Sequence, residues 1–422
     1  MKVFRRIFLP VLCVCAFLTA CLENNKGRTE ASDNRDVELD AATAGDALCI
    51  RPITGPEVVS SPNQHIDHIV PRAAIDQALL DAFDESLRYD LLYPYYPIAE
   101  DTYGGFVEDR GSTWTLHQNN DKYVVAQARY TWTAAKASLF YADDPPRAAI
   151  YRNSAAVGFE FLTRMWGQNY DGLTGIALMS DRDGSNGRVG NKKDLVVYGH
   201  AFAIYAAATY FDASGDPAAL DFAVDGYSFL DDYGHDSTYG GYYVTAGNTD
   251  KDTNVNLHVL EALIALYHAM PTSHTLRSEV ASRISELLVH LHDDAIHCES
   301  GTDCFAYPVM DRDWTASDNS VSFGHDVELA FLMVDAMVIL GQNPLNSPFI
   351  KKIKNMIDFT FTHAGYRSDG GLYYTGIYSG GSITVTENRL AWWPQAEALG
   401  TLCMMRMLVP GDPFYSDKMS LT

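Results

Sequence analysis

Residues 254–270 read NVNLHVLEALIALYHAM, and this stretch decides the fold. Most of its polar residues stand among the first eight positions, and the remainder is apolar on nearly every side. A helix without a solvent-facing side has to be enclosed by other parts of the protein. The stretch therefore predicts a buried helix at the centre of a layered, all-α structure.

Four further stretches share this apolar character, and amphipathic stretches lie between them. The enclosed stretches are 123–141, 196–211, 327–340 and 390–408. The amphipathic stretches carry one apolar stripe, as in 276–291 and 349–357. Their alternation predicts an inner ring of helices inside an outer ring, an (α/α)6-type toroid of helical hairpins. A stacked solenoid of helix pairs is the alternative, but both helices of each pair would then keep an exposed face.

Glycine-rich segments mark an internal repeat of about 65 residues. The segments are Tyr103-Gly-Gly-Phe106, Tyr170-Asp-Gly-Leu173, Tyr239-Gly-Gly-Tyr242, Glu299-Ser-Gly-Thr302 and Asp369-Gly-Gly-Leu372. Each interval between them has room for two helices. The repeat therefore predicts one hairpin per unit.

The first 20 residues have the pattern of a bacterial export signal. Lys2, Arg5 and Arg6 precede an apolar run that ends in Leu-Thr-Ala before Cys21. This ending resembles a lipobox, so we expect residues 1–20 to be removed and Cys21 to be lipidated. A plain signal peptide with an incidental cysteine is the alternative.

The domain organisation follows from this signal. Residues 22–47 are polar and lack periodicity, which favours a flexible tether. We expect a signal peptide at 1–20, a lipid anchor and tether at 21–72, and the α/α domain at 73–422. The sequence thus predicts an exported bacterial lipoprotein, periplasmic or attached to the outer membrane, that contacts the membrane only through its anchor.

The composition restricts the partners. The 31 Lys and Arg stand against 54 Asp and Glu, for a net charge of −23. Phosphate binding needs a basic surface, so nucleic acid is excluded as a main partner. Cys298 and Cys304 flank a turn, and in an exported protein they are either bonded to each other or both free. The sequence contains no CxxC motif that would indicate a zinc site, and we expect no metal.

Polar groups recur near the beginning of each enclosed helix. They are Gln127, Arg129, His200, His258, Glu261, His325, Glu328, Gln395 and Glu397. An unpaired buried polar group costs about 1–3 kcal/mol, so the repeated placement predicts side chains that line one mouth of the ring. His258/Glu261 and His325/Glu328 share the pattern His-x-x-Glu, whose i,i+3 spacing places both side chains on one helix face. His200 has no such partner and is interpreted as a core histidine.

These residue types together indicate a sugar as the ligand. Aromatic rings such as those of Trp392 and Trp393 stack on the C–H faces of a sugar, while polar groups bind its hydroxyls. A histidine that titrates near pH 7 is suited to removing a proton α to a carbonyl group. Arg129 is available to stabilise the resulting enediolate oxygen.

Five motifs carry a resemblance to a known family. They are Gln127-Ala-Arg129, Tyr198-Gly-His-Ala-Phe202, Asn254-Val-Asn-Leu-His258-Val-Leu-Glu261, Gly324-His325-Asp-Val-Glu328 and Trp392-Trp-Pro-Gln-Ala-Glu397. In order and separation they resemble the N-acylglucosamine 2-epimerase and cellobiose 2-epimerase family of sugar epimerases and isomerases. The cellobiose-type branch is the closer match. The family's α/α barrel agrees with the toroid predicted from the helices.

The resemblance implies a role for each matching residue. His325 would be a catalytic acid/base supported by Glu328, and His258, oriented by Glu261, would assist ring opening. Arg129 would hold the sugar oxygens next to the reacting carbon. The implied substrate-binding side chains are Trp392, Trp393, Gln395, Glu397, Tyr198 and Asn254. The implied reaction removes the C2 proton of a mono- or disaccharide and returns it to the opposite face or to C1, without a metal or an organic cofactor.

One family feature has no counterpart in this sequence. The family carries a second catalytic histidine on a sixth inner helix, which would follow Thr422. We therefore expect five hairpins of six, impaired catalysis, and exposed apolar flanks that favour pairing into a dimer. A non-catalytic saccharide-binding lipoprotein and an α/α-barrel glycosidase or lyase with paired carboxylates are the alternative functions.

Overall fold

A computed structural model describes residues 96–108, 121–190, 193–299, 301–362 and 365–421, together with Glu85 and Leu92. The predicted signal peptide, Cys21 and the tether at 22–47 lie outside these residues. After the short α1 (Tyr96–Ala99), two sets of helices alternate. The inner set is α2 (Val124–Phe140), α4 (Val196–Ser214), α6 (Thr253–Ala269), α8 (Phe323–Ile339) and α10 (Trp392–Leu408). The outer set is α3 (Pro145–Met165), α5 (Pro217–Gly234), α7 (Arg277–His290), α9 (Ile350–Thr362) and α11 (Pro413–Leu421).

The inner helices are enclosed, as their sequences predict. In α4 every residue from Val196 to Tyr210 is buried, whereas in α7 only four residues are buried. Each inner helix packs against the next inner helix along the chain and against the outer helix that follows it. An outer helix runs back between consecutive inner helices, so all inner helices point the same way. The predicted all-α toroid of helical hairpins is confirmed, and the described part of the chain holds five of these hairpins.

The starts of several helices follow local sequence rules. Asp144 and Asp216 stand before α3 and α5 and accept backbone N–H groups from Arg147 and Ala218, with a proline next in each sequence. Asp252 caps α6 through the N–H of Val255.

Short antiparallel strands join the loops that lead into neighbouring inner helices. β1 (Lys122–Tyr123) pairs with β4 (Met179–Ser180), and β5 (Lys251–Asp252) pairs with β8 (Val309–Met310). Two hairpins precede α4 and α8: β2 (Trp166–Tyr170) with β3 (Leu173–Ile176), and β6 (Ile296–Glu299) with β7 (Asp303–Ala306). The last sheet has the order β11 (Ser382–Glu387), β10 (Thr375–Ser379), β9 (Ser320–Ser322). These strands build a rim around the end of the ring where the inner helices begin.

The structural repeat is twice as long as the predicted unit of one hairpin, because two kinds of loop alternate. In the first kind, buried Asp101 is 3.1 Å from Lys122 Nζ and 2.8 Å from Arg182 Nε. This arrangement recurs about 130 residues later, where Asp236 lies 3.1 Å from Lys251 Nζ and 2.9 Å from Arg312 Nε. We call each set an Asp–Lys–Arg cluster. The loop before α10 has Arg367 where the other two have the aspartate, and Arg367 pairs with Asp369.

Two further findings concern the cysteines and the membrane. Cys298 and Cys304 form a disulfide across the β6–β7 hairpin, which decides between the two predicted states. Cys403 is buried and free. Of the helices in the described segments, none combines the length and the hydropathy needed to cross a bilayer.

Candidate active site

Amide side chains at the start of three inner helices bind the backbone of the preceding glycine-rich loop. The Gln127 amide accepts the N–H of Phe106 and donates to its C=O, both at 2.8 Å. Asn256 binds both groups of Tyr242 at 2.8 and 3.0 Å, and Gln395 binds both groups of Leu372 at 2.8 and 2.9 Å. We call this the clamp position. The glycine before each clamped residue lets the two backbones approach, since a Cβ on Gly105 would lie 2.4 Å from Gln127 Oε1.

The same position in the other two inner helices holds His200 and Asp326. His200 Nε2 accepts the N–H of Ile176 at 3.0 Å, and its Nδ1 lies 2.7 Å from the C=O of Val196. Burial lowers the pKa of His200 to about 3, so the ring is neutral and carries its proton on Nδ1. His200 is thus a core histidine with both ring nitrogens bonded. Asp326 accepts the N–H of Ala306 at 3.0 Å.

One predicted substrate-binding residue, Gln395, stands at the clamp position. Gln395 binds Leu372 through both amide atoms and also donates to the C=O of Ala391 at 2.9 Å. Its polar atoms are therefore engaged by backbone, and Gln395 positions the loop; its predicted contact with the sugar stays a prediction. The sequence pattern is the same for both roles because each places an amide in the first turn of an enclosed helix.

The residues two places after the clamp position point into the ring. They are Arg129, Phe202, His258, Glu328 and Glu397. In a helix, two residues correspond to about 200° of rotation, so this second set faces away from the loops. We call it the cavity position. Four of these five residues are predicted site residues, and Phe202 is an addition that the sequence analysis missed because an apolar residue in an enclosed helix resembles ordinary core.

His258 is the most connected group of the cavity. Its Nδ1 lies 2.9 Å from Glu261 Oε2, and its Nε2 lies 3.7 Å from Glu328 Oε1 on the neighbouring helix. The ring also contacts Phe202 at 4.6 Å and Tyr198 at 5.2 Å between centroids. The structure therefore brings Glu328 of the second predicted His-x-x-Glu pair next to His258 of the first.

Arg129 lies on the same cluster. Its guanidinium stacks on the Phe202 ring at 4.2 Å, which is a cation–π contact, and the side chain is buried. Its positive charge also acts on Glu261 and on Tyr205, so the side chain lies within electrostatic reach of α4 and α6. The negative charge of Glu397 acts on Tyr205 as well, which places α10 across the same cavity.

The carboxylate of Glu261 is held ionised. Burial raises its pKa, but the hydrogen bond from His258, the charges of His258 and Arg129 and a hydrogen bond from Tyr205 together keep the pKa below its usual range. Burial and the Glu261 carboxylate raise the pKa of Tyr205 well above its usual value, so the phenol stays protonated and donates. Tyr205 is a second missed residue. Its signal was the three-residue spacing from Phe202, the same spacing that separates Glu261 from His258.

His325 and Trp393 meet at the mouth of the cavity. The imidazole lies 4.8 Å from the Trp393 ring at an angle of 38°, and the His325 side chain is half-buried. Trp393 also contacts Tyr374 edge-on at 6.0 Å. Gly324 is required at this contact because a Cβ there would lie 2.4 Å from the Trp393 ring. An imidazole and an indole thus share one half-open wall, while Trp392 is half-buried beside them.

The remaining predicted residues stand in the first turns of their helices. Tyr198 is buried in α4 and contacts His258, whereas Asn254 is half-buried in α6. Within the described segments, no three His, Cys, Asp or Glu side chains are grouped so that they could hold a metal ion.

A second pocket of about 650 Å³ lies at the rim, between the loop at 235–240 and α7. Its polar groups are largely bonded to one another: His235 to Glu286, His290 to Asp294, and the Trp314 indole N–H to the C=O of Tyr239. The chemistry described above lies elsewhere, so this pocket is not the candidate active site.

Comparison with known proteins agrees with this geometry. The chain matches the N-acylglucosamine 2-epimerase (GlcNAc 2-epimerase) family over residues 104–421. A cellobiose 2-epimerase of Bacteroides fragilis is 26% identical over 352 residues, which cover 77% of this chain and 81% of the relative. The structure of a cellobiose 2-epimerase from Bacillus thermoamylovorans B4167 aligns with a TM-score of 0.68 at 21% identity, over 82% of this chain and 86% of that one. A D-mannose isomerase aligns with a TM-score of 0.64 at 20% identity, over 82% and 84% of the two chains.

Proposed function

Because the chain belongs to the N-acylglucosamine 2-epimerase family, we propose that it epimerises or isomerises the reducing sugar of a mono- or disaccharide at C2. The observation that carries this proposal is His258 held between Glu261 and Glu328, next to Arg129 and below the His325–Trp393 wall. The Bacteroides fragilis relative, a cellobiose 2-epimerase, supports a disaccharide as the substrate class.

The proposed reaction begins with ring opening of the sugar to a free aldehyde. His258, oriented through Nδ1 by Glu261, is placed to exchange a proton with the ring oxygen. His325 then takes the C2 proton, the electron pair of the C–H bond forms the C1=C2 double bond, and the negative charge moves to O1. The Arg129 guanidinium stabilises this enediolate oxygen. The ketose forms when His325 returns the proton to C1 while the O2 hydroxyl proton passes to O1. The epimer forms when a second acid, in place of His325, delivers a proton to C2 from the opposite face as O1 becomes the carbonyl oxygen again.

The two products make different demands on the site. Epimerisation needs an acid/base on each face of the enediolate, whereas isomerisation returns the proton on one face and needs a single one. Trp393 beside His325 supports stacking of the sugar ring against that face. Both products therefore have to be measured.

The test is proton exchange in heavy water with cellobiose, mannose and N-acetylglucosamine as probes. We expect deuterium at C2 of the substrate or epimer, or at C1 of the ketose, and a loss of about 10²–10⁴-fold in exchange for His325→Gln. His268→Gln is the matched control, because His268 stands at the other end of α6 and binds Asp212 at 2.7 Å. Exchange that survives His325→Gln would reassign the base.

The same incubation separates the alternative functions. Sugar binding without exchange would indicate a non-catalytic saccharide-binding protein, and cleavage products would indicate a glycosidase or lyase. The contacts favour the epimerase class, since Glu261 lies 2.9 Å and Glu328 lies 3.7 Å from the His258 imidazole, so both carboxylates act on a histidine.

We also propose that the protein is exported and anchored through Cys21. The Cys298–Cys304 disulfide supports an oxidising compartment, because such bonds persist mainly outside the cytosol. In a bacterial host, wild type should incorporate labelled palmitate and fractionate with membranes. Cys21→Ser should abolish the label, whereas Cys403→Ser should retain it. Label on Cys21→Ser would contradict the anchor.

A further inference from the structure

The clamp position is occupied by an uncharged acceptor in four of the five inner helices. Gln127, Asn256 and Gln395 are amides that bind both the N–H and the C=O of one loop residue. His200 is a neutral imidazole that accepts the loop N–H through Nε2. The fifth occupant, Asp326 on α8, is an acid in a position that otherwise excludes charge.

The geometry of Asp326 is that of the amides. Its Oδ1 accepts the N–H of Ala306 at 3.0 Å, as Asn256 Oδ1 accepts the N–H of Tyr242 at 2.8 Å. The other oxygen, Oδ2, corresponds to the amide NH2, which in Asn256 donates to the C=O of the clamped residue. Oδ2 is buried and has no hydrogen-bond partner among the described residues. A carboxylate oxygen cannot bind a carbonyl oxygen, whereas a carboxylic acid O–H can.

We propose that Asp326 is held as a neutral carboxylic acid that clamps Ala306 through both oxygens, Oδ1 accepting its N–H and the Oδ2 hydroxyl donating to its C=O. The acid thereby replaces the amide of the other repeats. It is a positioning residue for the first turn of α8, which carries His325 one residue before it and Glu328 two residues after it.

The surroundings of Asp326 agree with a neutral acid. Burial raises its pKa to about 8, and the hydrogen bond from Ala306 is the other cause and acts in the opposite direction. The titratable groups on α8 and on the elements packed against it include His325, Glu328, His297, Glu299, Asp303 and Glu397. On α6 and α9 they include His258, Glu261, Lys354 and Asp358. None of these groups is a cause of the shift, so no cation holds Asp326 ionised.

The first test is the pH dependence of stability in wild type and Asp326→Asn. The pKa is higher in the folded chain than in the unfolded one, so the folded state binds more protons between about pH 4 and 8. Wild type should therefore lose stability relative to Asp326→Asn as the pH rises through this range, approaching tenfold per pH unit in the folding equilibrium constant. Above about pH 8 the ratio of the folding equilibrium constants of wild type and Asp326→Asn should stay constant. Urea denaturation at fixed pH values measures it.

Asn256→Asp is the matched counterpart, because it introduces the acid at the equivalent position of α6. It should acquire the same loss of stability with rising pH that Asp326→Asn removes. If the free energies of unfolding of wild type and Asp326→Asn change in parallel from pH 5 to 8, the proposal is overturned. Should Asp326→Asn fail to fold, the ¹³C carboxyl signal of Asp326 in the wild-type chain decides. A titration midpoint near 8 supports the neutral acid, and one near 4 overturns it.

The effect of Asp326 on catalysis rests on the proposed function, and it is measured separately from the effect on stability. Asp326→Asn should keep the KM of the wild type and extend kcat to higher pH, since the first turn of α8 would no longer depend on a proton. A parallel alkaline fall of kcat in both proteins overturns the positioning role. Absence of any sugar exchange would refute the proposed function, whereas the stability measurements would still test the neutral acid.

Discussion

The first and second double hairpins of the ring share one framework and differ in chemistry. Both have an Asp–Lys–Arg cluster, a Gly-Gly turn and an amide at the clamp position, with matching distances. Two residues after the clamp, however, the first has Arg129 and the second has His258. In the first inner helix of each double hairpin, the residue that faces the loop is therefore repeated, and the residue that faces the cavity has diverged. Position within the repeat tells which of the two roles a buried polar group has.

The largest effect is expected from breaking the framework of one repeat. Asp236→Ala leaves Lys251 buried without its counter-ion, and we expect a loss of about 3–5 kcal/mol in the free energy of unfolding. Asp101→Ala should cost a similar amount through Lys122. Asp313→Ala, an exposed carboxylate at the rim, is the control and should stay within about 0.5 kcal/mol of wild type. Unequal losses for Asp236 and Asp101 would contradict the equivalence of the two repeats.

A smaller loss of stability is expected from breaking the clamp position of α10. Gln395→Ala leaves the N–H and C=O of Leu372 without their partner, at a cost of about 3 kcal/mol for the two groups. The KM for the sugar should not change, because the amide binds backbone. Denaturation and initial rates on the same preparation separate the two roles. A raised KM with unchanged stability would return Gln395 to the substrate-binding set.

The cluster of side chains around His258 should respond in activity, not in stability. Glu261→Gln removes the charge that orients His258 through Nδ1, and we expect a loss of about 2 kcal/mol in transition-state stabilisation, roughly 30-fold in kcat/KM. Glu286→Gln is the control, because Glu286 binds His235 at 2.8 Å in the rim pocket. Equal losses in the two variants would argue against a special role of the cavity cluster.

The smallest effect is expected at His200, where the stability of the fold should change gradually with each pH unit. The folded pKa of about 3 lies below the unfolded value, so the unfolded state binds more protons between about pH 6.5 and 3. Wild type should lose about 1 kcal/mol per pH unit on acidification through this range, and His200→Gln should lose less. The sign is opposite to that expected for Asp326, although both residues hold the same position. Parallel curves for wild type and His200→Gln would indicate that the ring is not held neutral.

Much of the fold could be predicted from the sequence, because burial leaves a direct mark on composition. The stretch 254–270 is apolar on nearly every side, so it has to be enclosed, and its alternation with amphipathic stretches predicts the two rings of helices. The double-hairpin repeat was missed for a physical reason. Its signature is the pairing of Asp101 with Lys122 and Arg182, residues far apart in sequence whose contact only the folded loops create.

The candidate site could be predicted in part. The structure brings Arg129, His258, Glu261 and Glu328 together, and these residues were singled out by charge in an apolar setting. For Gln395 the structure adds a backbone role, because a sequence does not distinguish an amide that binds backbone from one that binds hydroxyls. Phe202 and Tyr205 were missed because aromatic residues inside an enclosed helix resemble ordinary core, although their three-residue spacing matches that of His258 and Glu261.

The common direction of the inner helices has an electrostatic consequence for the reaction. Each helix carries a partial positive charge at its N-terminus, and all five inner helices of the described chain begin at the mouth of the cavity. In the proposed reaction, a sugar enters this field without charge and becomes an anion at the enediolate stage. Each dipole contributes about 0.3–1 kcal/mol to an anion at its end, so the backbone itself favours the intermediate over the substrate. A strongly acidic protein can thus present a locally receptive site for negative charge.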